Sequence, residues 1–380
     1  MNAKDVCDML VAVMSKSGGK DTTTNKKWVS YFDALRVFAA LAVVVIHVAA
    51  RRWTANGSDV ASWRGANFWD GLVRWAVPIF VMISGALMLN PQKKFSIKKL
   101  YSKNILRLVI AFIVWSLLYF LFDVLVLKNY RGVAWAIKRL VEGNYHLWFI
   151  YMIVGLYVAT PVLRLITKNR LMTEYFLIVG IVISFILPGI EMLCNGRVMV
   201  TDGSLIARAA SILGQSIYVI TNSMKFEFAA GYVVYYVLGY WLASGETSKR
   251  VRVVYYILGV LGIVLTIIYS EKVSLLSGTK WNIFGPRTPW VIMPAIALFV
   301  FAKYHMEKVG QWKIVRVIAS LSFGVYLVHV MVIDVAMKTI FKGVQLDVVT
   351  IPLVTMVVFV LSAIVVWLID KVPILRRLIK

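Results

Sequence analysis

The stretch from Tyr31 to Ala50, YFDALRVFAALAVVVIHVAA, constrains this chain more than any other. About 20 apolar residues at roughly 1.5 Å each cover the hydrocarbon core of a bilayer, yet this run carries an arginine and a histidine. Ionisable groups inside a membrane segment are costly and face a bundle interior or a water-filled cavity, so Arg36 and His47 are functional candidates by default. Eleven steps at about 100° return a helix to within roughly 20° of its starting direction, which sets the two side chains on one face about 16 Å apart. Plainer readings stand beside this one. Arg36 snorkels to the interface or pairs with Asp33 one turn earlier, and His47 makes an ordinary polar contact near the far end.

Of the 380 residues 60% are hydrophobic and 16% charged, too apolar for a soluble chain of this size. Apolar periodicity predicts an all-α, polytopic membrane protein of about ten transmembrane helices. They fall at residues 31–50, 73–89, 105–127, 147–166, 175–193, 228–243, 253–269, 289–303, 318–339 and 349–369. Pro78 with Gly85, and Pro188 with Gly189, predict distortion of the second and fifth. A long polar connection separates the fifth and sixth. Residues 1–28 read as a tail, 29–370 as the membrane domain and 371–380 as a basic tail.

An even helix count puts both termini on one side, and the loops of that side hold 25 of the 42 Lys and Arg residues. By the positive-inside rule both termini are cytoplasmic, in a multi-pass protein of a plasma or bacterial inner membrane. The formal charge of +24 then reports topology and lipid contact, which removes nucleic acid as a partner. Cys7 and Cys194 fall on opposite sides and are not expected to pair. The four histidines are scattered along the chain, so no metal site is predicted.

In this topology Arg36 lies near the cytoplasmic face and His47 in the outer part of the membrane. Among the dense cytoplasmic basic residues, Lys93, Lys94, Lys98 and Lys99 suit anionic lipid. Lys103 and Arg107 stand four apart at the start of the third span, where two cations on one helical face can hold phosphates. Ser84 and Gly85 are small residues that allow a backbone or a ligand to approach, with helix packing the simpler reading. Tyr145, His146 and Trp148 open the fourth span and suit an aromatic belt. Tyr326 and His329 share a face of the ninth, as pocket residues or as a structural pair.

These pieces together resemble the acyltransferase 3 family of integral membrane acyltransferases over about residues 29–370. The likeness rests on YFDALRVFAALAVVVIHV with its ten residues between Arg36 and His47, VPIFVMISGALML, KNILRL, HLWFIYMIVGLYVATPVLR, GYVVYYVLGYWL and SFGVYLVHVMV. It is to the standalone, sugar-directed members. The resemblance implies transfer of an acyl group, usually acetyl, from coenzyme A to a hydroxyl of a cell-envelope glycan or lipid-linked sugar. It places the family's catalytic histidine on His47 and its partner arginine on Arg36. The basic pair after the second helix, often Arg-x-x-Arg in the family, is here Lys103 and Arg107 with three residues between.

The residue chemistry suits such a role. A neutral imidazole removes a hydroxyl proton, and cations stabilise an oxyanion and donor phosphates. Acetyl-CoA or another acyl-CoA is then the co-substrate, bound by Lys103, Arg107 and Ser84, with His146, Trp148, Tyr326 and His329 around the acceptor. A proton-coupled transporter also places arginine and histidine inside the membrane. A glycosyltransferase predicts paired outer-loop carboxylates, which Asp59 and Asp70, eleven apart, do not form.

Overall fold

The computed structural model describes residues 29–53, 60–195, 204–224, 230–277, 285–286, 288–372, 376 and 379. The expected N-terminal tail, Cys7 and most of the basic C-terminal tail lie outside them. All regular structure among the described residues is helical. Eight helical stretches are long and apolar enough to cross a membrane: Tyr31–Trp53, Val60–Met88, Ile97–Leu125, Val133–Thr167, Arg170–Cys194, Lys249–Ser274, Lys313–Lys338 and Thr350–Lys371. Two further segments read as spans, the sixth and eighth, are helices of 13 and 17 residues, Tyr232–Ser244 and Pro289–His305. The polytopic membrane fold is as the apolar runs predict.

Helix α1 (Tyr31–Trp53) is the central element, with 15 of its 23 residues buried. Ala34, Ala39, Ala40, Ala42 and Ala49 keep its surface slim, so α2 (Val60–Val73), α3 (Ala76–Met88) and the two C-terminal spans approach it closely. The expected second helix at 73–89 is the C-terminal part of a longer, broken rod, Val60–Met88. Pro78 has no N–H to offer the Arg74 carbonyl, and the rod is interrupted at Arg74–Trp75.

Helix α4 (Leu106–Leu125) follows a π-helical turn at Leu100–Ile105. A short amphipathic α5 (Val133–Glu142) folds back onto it, held by Arg139 to Asp123 at 2.6 Å. A 3₁₀ turn at Tyr145–Leu147 leads into α6 (Trp148–Thr167). Helices α7 (Arg170–Ile181) and α8 (Leu187–Asn195) are joined by a second π-helical turn, Val182–Ile186, just ahead of Pro188. The distortion expected at Pro188-Gly189 is therefore spread over the turn before it.

The expected polar connection contains α9 (Leu205–Ser223), a 19-residue helix capped by Ser204, whose hydroxyl accepts from the Ala207 N–H at 3.1 Å. It packs on α8 at the edge of the bundle, with Ala207 and Gly214 its buried residues. Arg208, Gln215 and interspersed Ser and Thr hide its apolar character from a reading based on hydropathy alone.

Helices α10 (Tyr232–Ser244), α11 (Lys249–Ser277), α12 (Pro289–His305), α13 (Lys313–Lys338) and α14 (Thr350–Lys371) complete the bundle. Helices α3 and α10 are interlocked. A Cβ on Gly85 would overlap the Tyr236 carbonyl oxygen, and one on Gly239 would overlap that of Met82. Only glycine permits this backbone contact. Arg164 on α6 fastens the segment after α3, donating to the carbonyls of Met88 at 2.8 Å, Asn90 at 2.6 Å, Pro91 at 3.3 Å and Lys93 at 2.8 Å.

Candidate active site

A cavity of about 230 Å³ lies between α1, α3, α4, α6 and α13. From α1 it is lined by Arg36, Val43 and His47, which recur at intervals of seven and four and so share one helical face. The face deduced from the eleven-residue spacing is thus the face that meets the cavity. Both readings of Arg36 hold at once, because its guanidinium also donates to Asp33 at 2.7 Å while lining the space.

Helix α3 contributes Phe80 and Ser84, four residues apart, and Ser84 donates to the Phe80 carbonyl at 2.9 Å. The adjacent small pair divides its tasks: Gly85 faces α10 and Ser84 faces the cavity. Helix α4 contributes Arg107 and Leu108. Lys103 and Arg107 are both exposed, and Lys103 is not among the lining residues. Lys103 lies within the π-helical turn and Arg107 in the α-helix that follows it.

At the other end are His146 and Trp148, with Tyr326 opposite on α13. His146 is 2% exposed, so it belongs to the interior and not to an interfacial belt. Its neighbours Tyr145 and Trp148, at 56% and 42%, keep the exposure that a belt requires. His329 is fully buried and stands behind the cavity wall. Its ring centroid is 4.9 Å from that of His47 and 5.2 Å from that of His146, and the His47 and His146 rings are 6.2 Å apart.

Three of the four histidines therefore meet at one point although 99 and 183 residues separate them in sequence. Among the described residues, no group of three or more His, Cys, Asp and Glu side chains is disposed to hold a metal ion. Tyr326 donates to the His146 carbonyl at 2.7 Å, and Tyr119, fully buried, donates to the Leu327 carbonyl at 2.8 Å. Beyond His47 stand two ion pairs, Arg51 with Asp334 and Arg74 with Asp70.

Several lining residues escaped the sequence reading. Tyr157 on α6 lies beside Ser84 and within electrostatic reach of Arg107 and Arg36. Phe149, Ile153 and Tyr157 recur every four residues, as do Ser322 and Tyr326. That spacing, with polar or aromatic members inside an apolar span, was the available signal.

The arrangement has two chemically distinct ends. Arg36 and Arg107 offer guanidinium groups suited to phosphate oxygens. His47, His146 and Tyr326 offer imidazoles and a phenol, groups that can exchange a proton with a hydroxylic substrate.

The peptidoglycan O-acetyltransferase OatA of Listeria monocytogenes is 22% identical over 340 residues, 82% of this chain. The chain spans about half the length of that relative, 50% of which is covered. No solved structure matches. A family model described as an acyltransferase domain matches residues 29–371, and the chain belongs to the acyltransferase 3 family.

Proposed function

We propose that the protein is a membrane O-acyltransferase that moves an acyl group, acetyl in the simplest case, from acyl-CoA to a hydroxyl of a cell-envelope sugar. The observation that carries this reading is the single cavity joining Arg36 and Arg107 at one end to His47 and His146 at the other. Family membership and the relative named for peptidoglycan O-acetylation supply the reaction class and the kind of acceptor. The protein sits in the plasma or inner membrane with both termini cytoplasmic.

The donor docks from the cytoplasmic side, with its phosphates on Arg107 and Arg36 and its pantetheine arm running past Ser84 and Tyr157 towards His47. The acceptor sugar arrives from the opposite side, against Trp148 and Tyr326. His47 removes the hydroxyl proton as the oxygen attacks the thioester carbon, and His146 donates to the developing oxyanion. The carbon–sulfur bond then breaks, and His47 returns the proton to the departing thiolate. Atoms and charge balance without a metal or a redox partner.

Purified protein in nanodiscs, wild type beside His47→Ala, is incubated with radiolabelled acetyl-CoA and a membrane glycan extract. Free coenzyme A and label in the glycan are both counted. Release with transfer, lost in the folded mutant, supports the proposal. A wild-type protein that neither binds nor consumes any acyl-CoA overturns it.

A further inference from the structure

We infer that His329 is a positioning residue that fixes the tautomer of His47 and presents its free nitrogen to the substrate. The inference rests on the acyltransfer reading above for its catalytic meaning. Its structural content stands on the histidine cluster alone.

The Nδ1 of His329 contacts two main-chain carbonyls of its own helix, Tyr326 at 2.7 Å and Val325 at 3.1 Å. Carbonyls only accept, so Nδ1 carries the proton and Nε2 of the neutral ring keeps its lone pair. The helix itself therefore sets the orientation of this ring, three and four residues back along the chain. Nε2 is buried and has no hydrogen-bond partner among the described residues.

A buried acceptor without a donor keeps the cost of its lost hydration. Two rings stand next to it, and of these His47 is the closer, with its centroid 4.9 Å away. His47 is also partly exposed to the cavity, so its ring has room to turn. His146, whose ring nitrogens are also buried without a hydrogen-bond partner among the described residues, directs its N–H to the oxyanion in the transfer proposed above, which leaves His47 as the donor to His329.

In this arrangement one His47 ring nitrogen donates its hydrogen to His329 Nε2, and the other is left as a lone pair facing the cavity. When His47 takes the acceptor's hydroxyl proton, the resulting imidazolium keeps its bond to His329, and the proton leaves again to the thiolate. His329 holds no proton of the reaction and touches no reacting atom. It acts on the direction of the His47 ring, as the third member of a nucleophile–base–orienter set does.

With four histidines in the chain, the rings can be assigned one at a time. The protein is labelled with ¹⁵N-histidine in nanodiscs and compared with His329→Leu, His329→Gln and His329→Asn by NMR and by acetyl-CoA turnover. A single His47 tautomer is expected in the wild type and a mixture of two in His329→Leu. The turnover number should fall about 100-fold in His329→Leu, with the KM for acetyl-CoA within about twofold. Gln, whose amide oxygen reaches the place of Nε2, should recover more of the rate than Asn, which ends near Nδ1.

If His329→Leu does not fold, the Gln and Asn comparison decides alone. A mixed His47 tautomer in the wild type, or equal rates in Gln and Asn, overturns the inference. A wild-type protein with one His47 tautomer and no acyl-CoA turnover instead overturns the functional reading while leaving the positioning role intact.

Discussion

The phenolic hydroxyl of Tyr326 donates to the main-chain carbonyl of His146 at 2.7 Å, tying the middle of α13 to the turn that launches α6. Two lining residues from spans 180 positions apart are thereby held in register. Tyr326→Phe removes the donor and leaves the carbonyl short of a partner, for an expected loss of about 1–2 kcal/mol in stability. Acyl transfer should fall about tenfold, because His146 loses its fixed place beside His47. Thermal unfolding and turnover in nanodiscs measure the two effects. Full activity in Tyr326→Phe would show that other contacts hold the turn.

Arg107 and Lys103 are separated by their response to charge reversal. Arg107→Glu places a carboxylate on the cavity wall and should raise the KM for the proposed donor, acetyl-CoA, about tenfold or more, the equivalent of about 1.4 kcal/mol. Lys103→Glu alters a site off the cavity wall and should change it by no more than about twofold. Equal effects would mean that phosphate binding lies on the outer surface of the π-helical turn.

Arg164 serves four carbonyls after the end of α3 and stacks on Phe95, with its guanidinium carbon 4.7 Å from the ring centroid. Arg164→Ala leaves this segment without its common donor and should destabilise the protein by about 3 kcal/mol. Lysine, with one ammonium in place of a fork, should recover only part of the loss. Limited proteolysis across residues 89–95 and the unfolding temperature report the result. Unchanged cleavage would refute the anchoring role.

Gly85→Ala and Gly239→Ala each drive a methyl group into a backbone carbonyl on the partner helix. Backbone cannot swing aside as a side-chain tip can, so each substitution should cost about 3 kcal/mol and lower the yield of monodisperse protein. Gly155→Ala, on a helix face with no neighbouring atom within 4 Å, is the matched control and should be nearly neutral.

Much of the architecture was legible because a bilayer enforces long apolar runs and penalises every charge inside them. Arg36 and His47 stood out for that reason, and helical spacing alone put them on one face. What brings His329 and His146 to His47 is the lateral order of the helices, which no local pattern encodes. Of the pair Lys103 and Arg107 only Arg107 lines the cavity, a selection that spacing along one helix does not make. The break at Arg74–Trp75 lies four residues ahead of the proline responsible, where the missing N–H is felt. Helix α9 is hidden from hydropathy because its polar residues lower the local average without abolishing the helical spacing.

The glycine contact between α3 and α10 also has a mechanical meaning. Helix α3 carries Phe80 and Ser84 into the cavity, while Tyr236 of α10 meets Thr160 of α6 at 2.9 Å across a shared hydroxyl bond. Through these contacts α3, α10 and α6 form one stiff block. Rocking carriers work by letting one half of the molecule swing against the other. A chamber walled by such a block behaves as an anvil instead: its walls stay put, as the proposed meeting of two substrates at one fixed point requires.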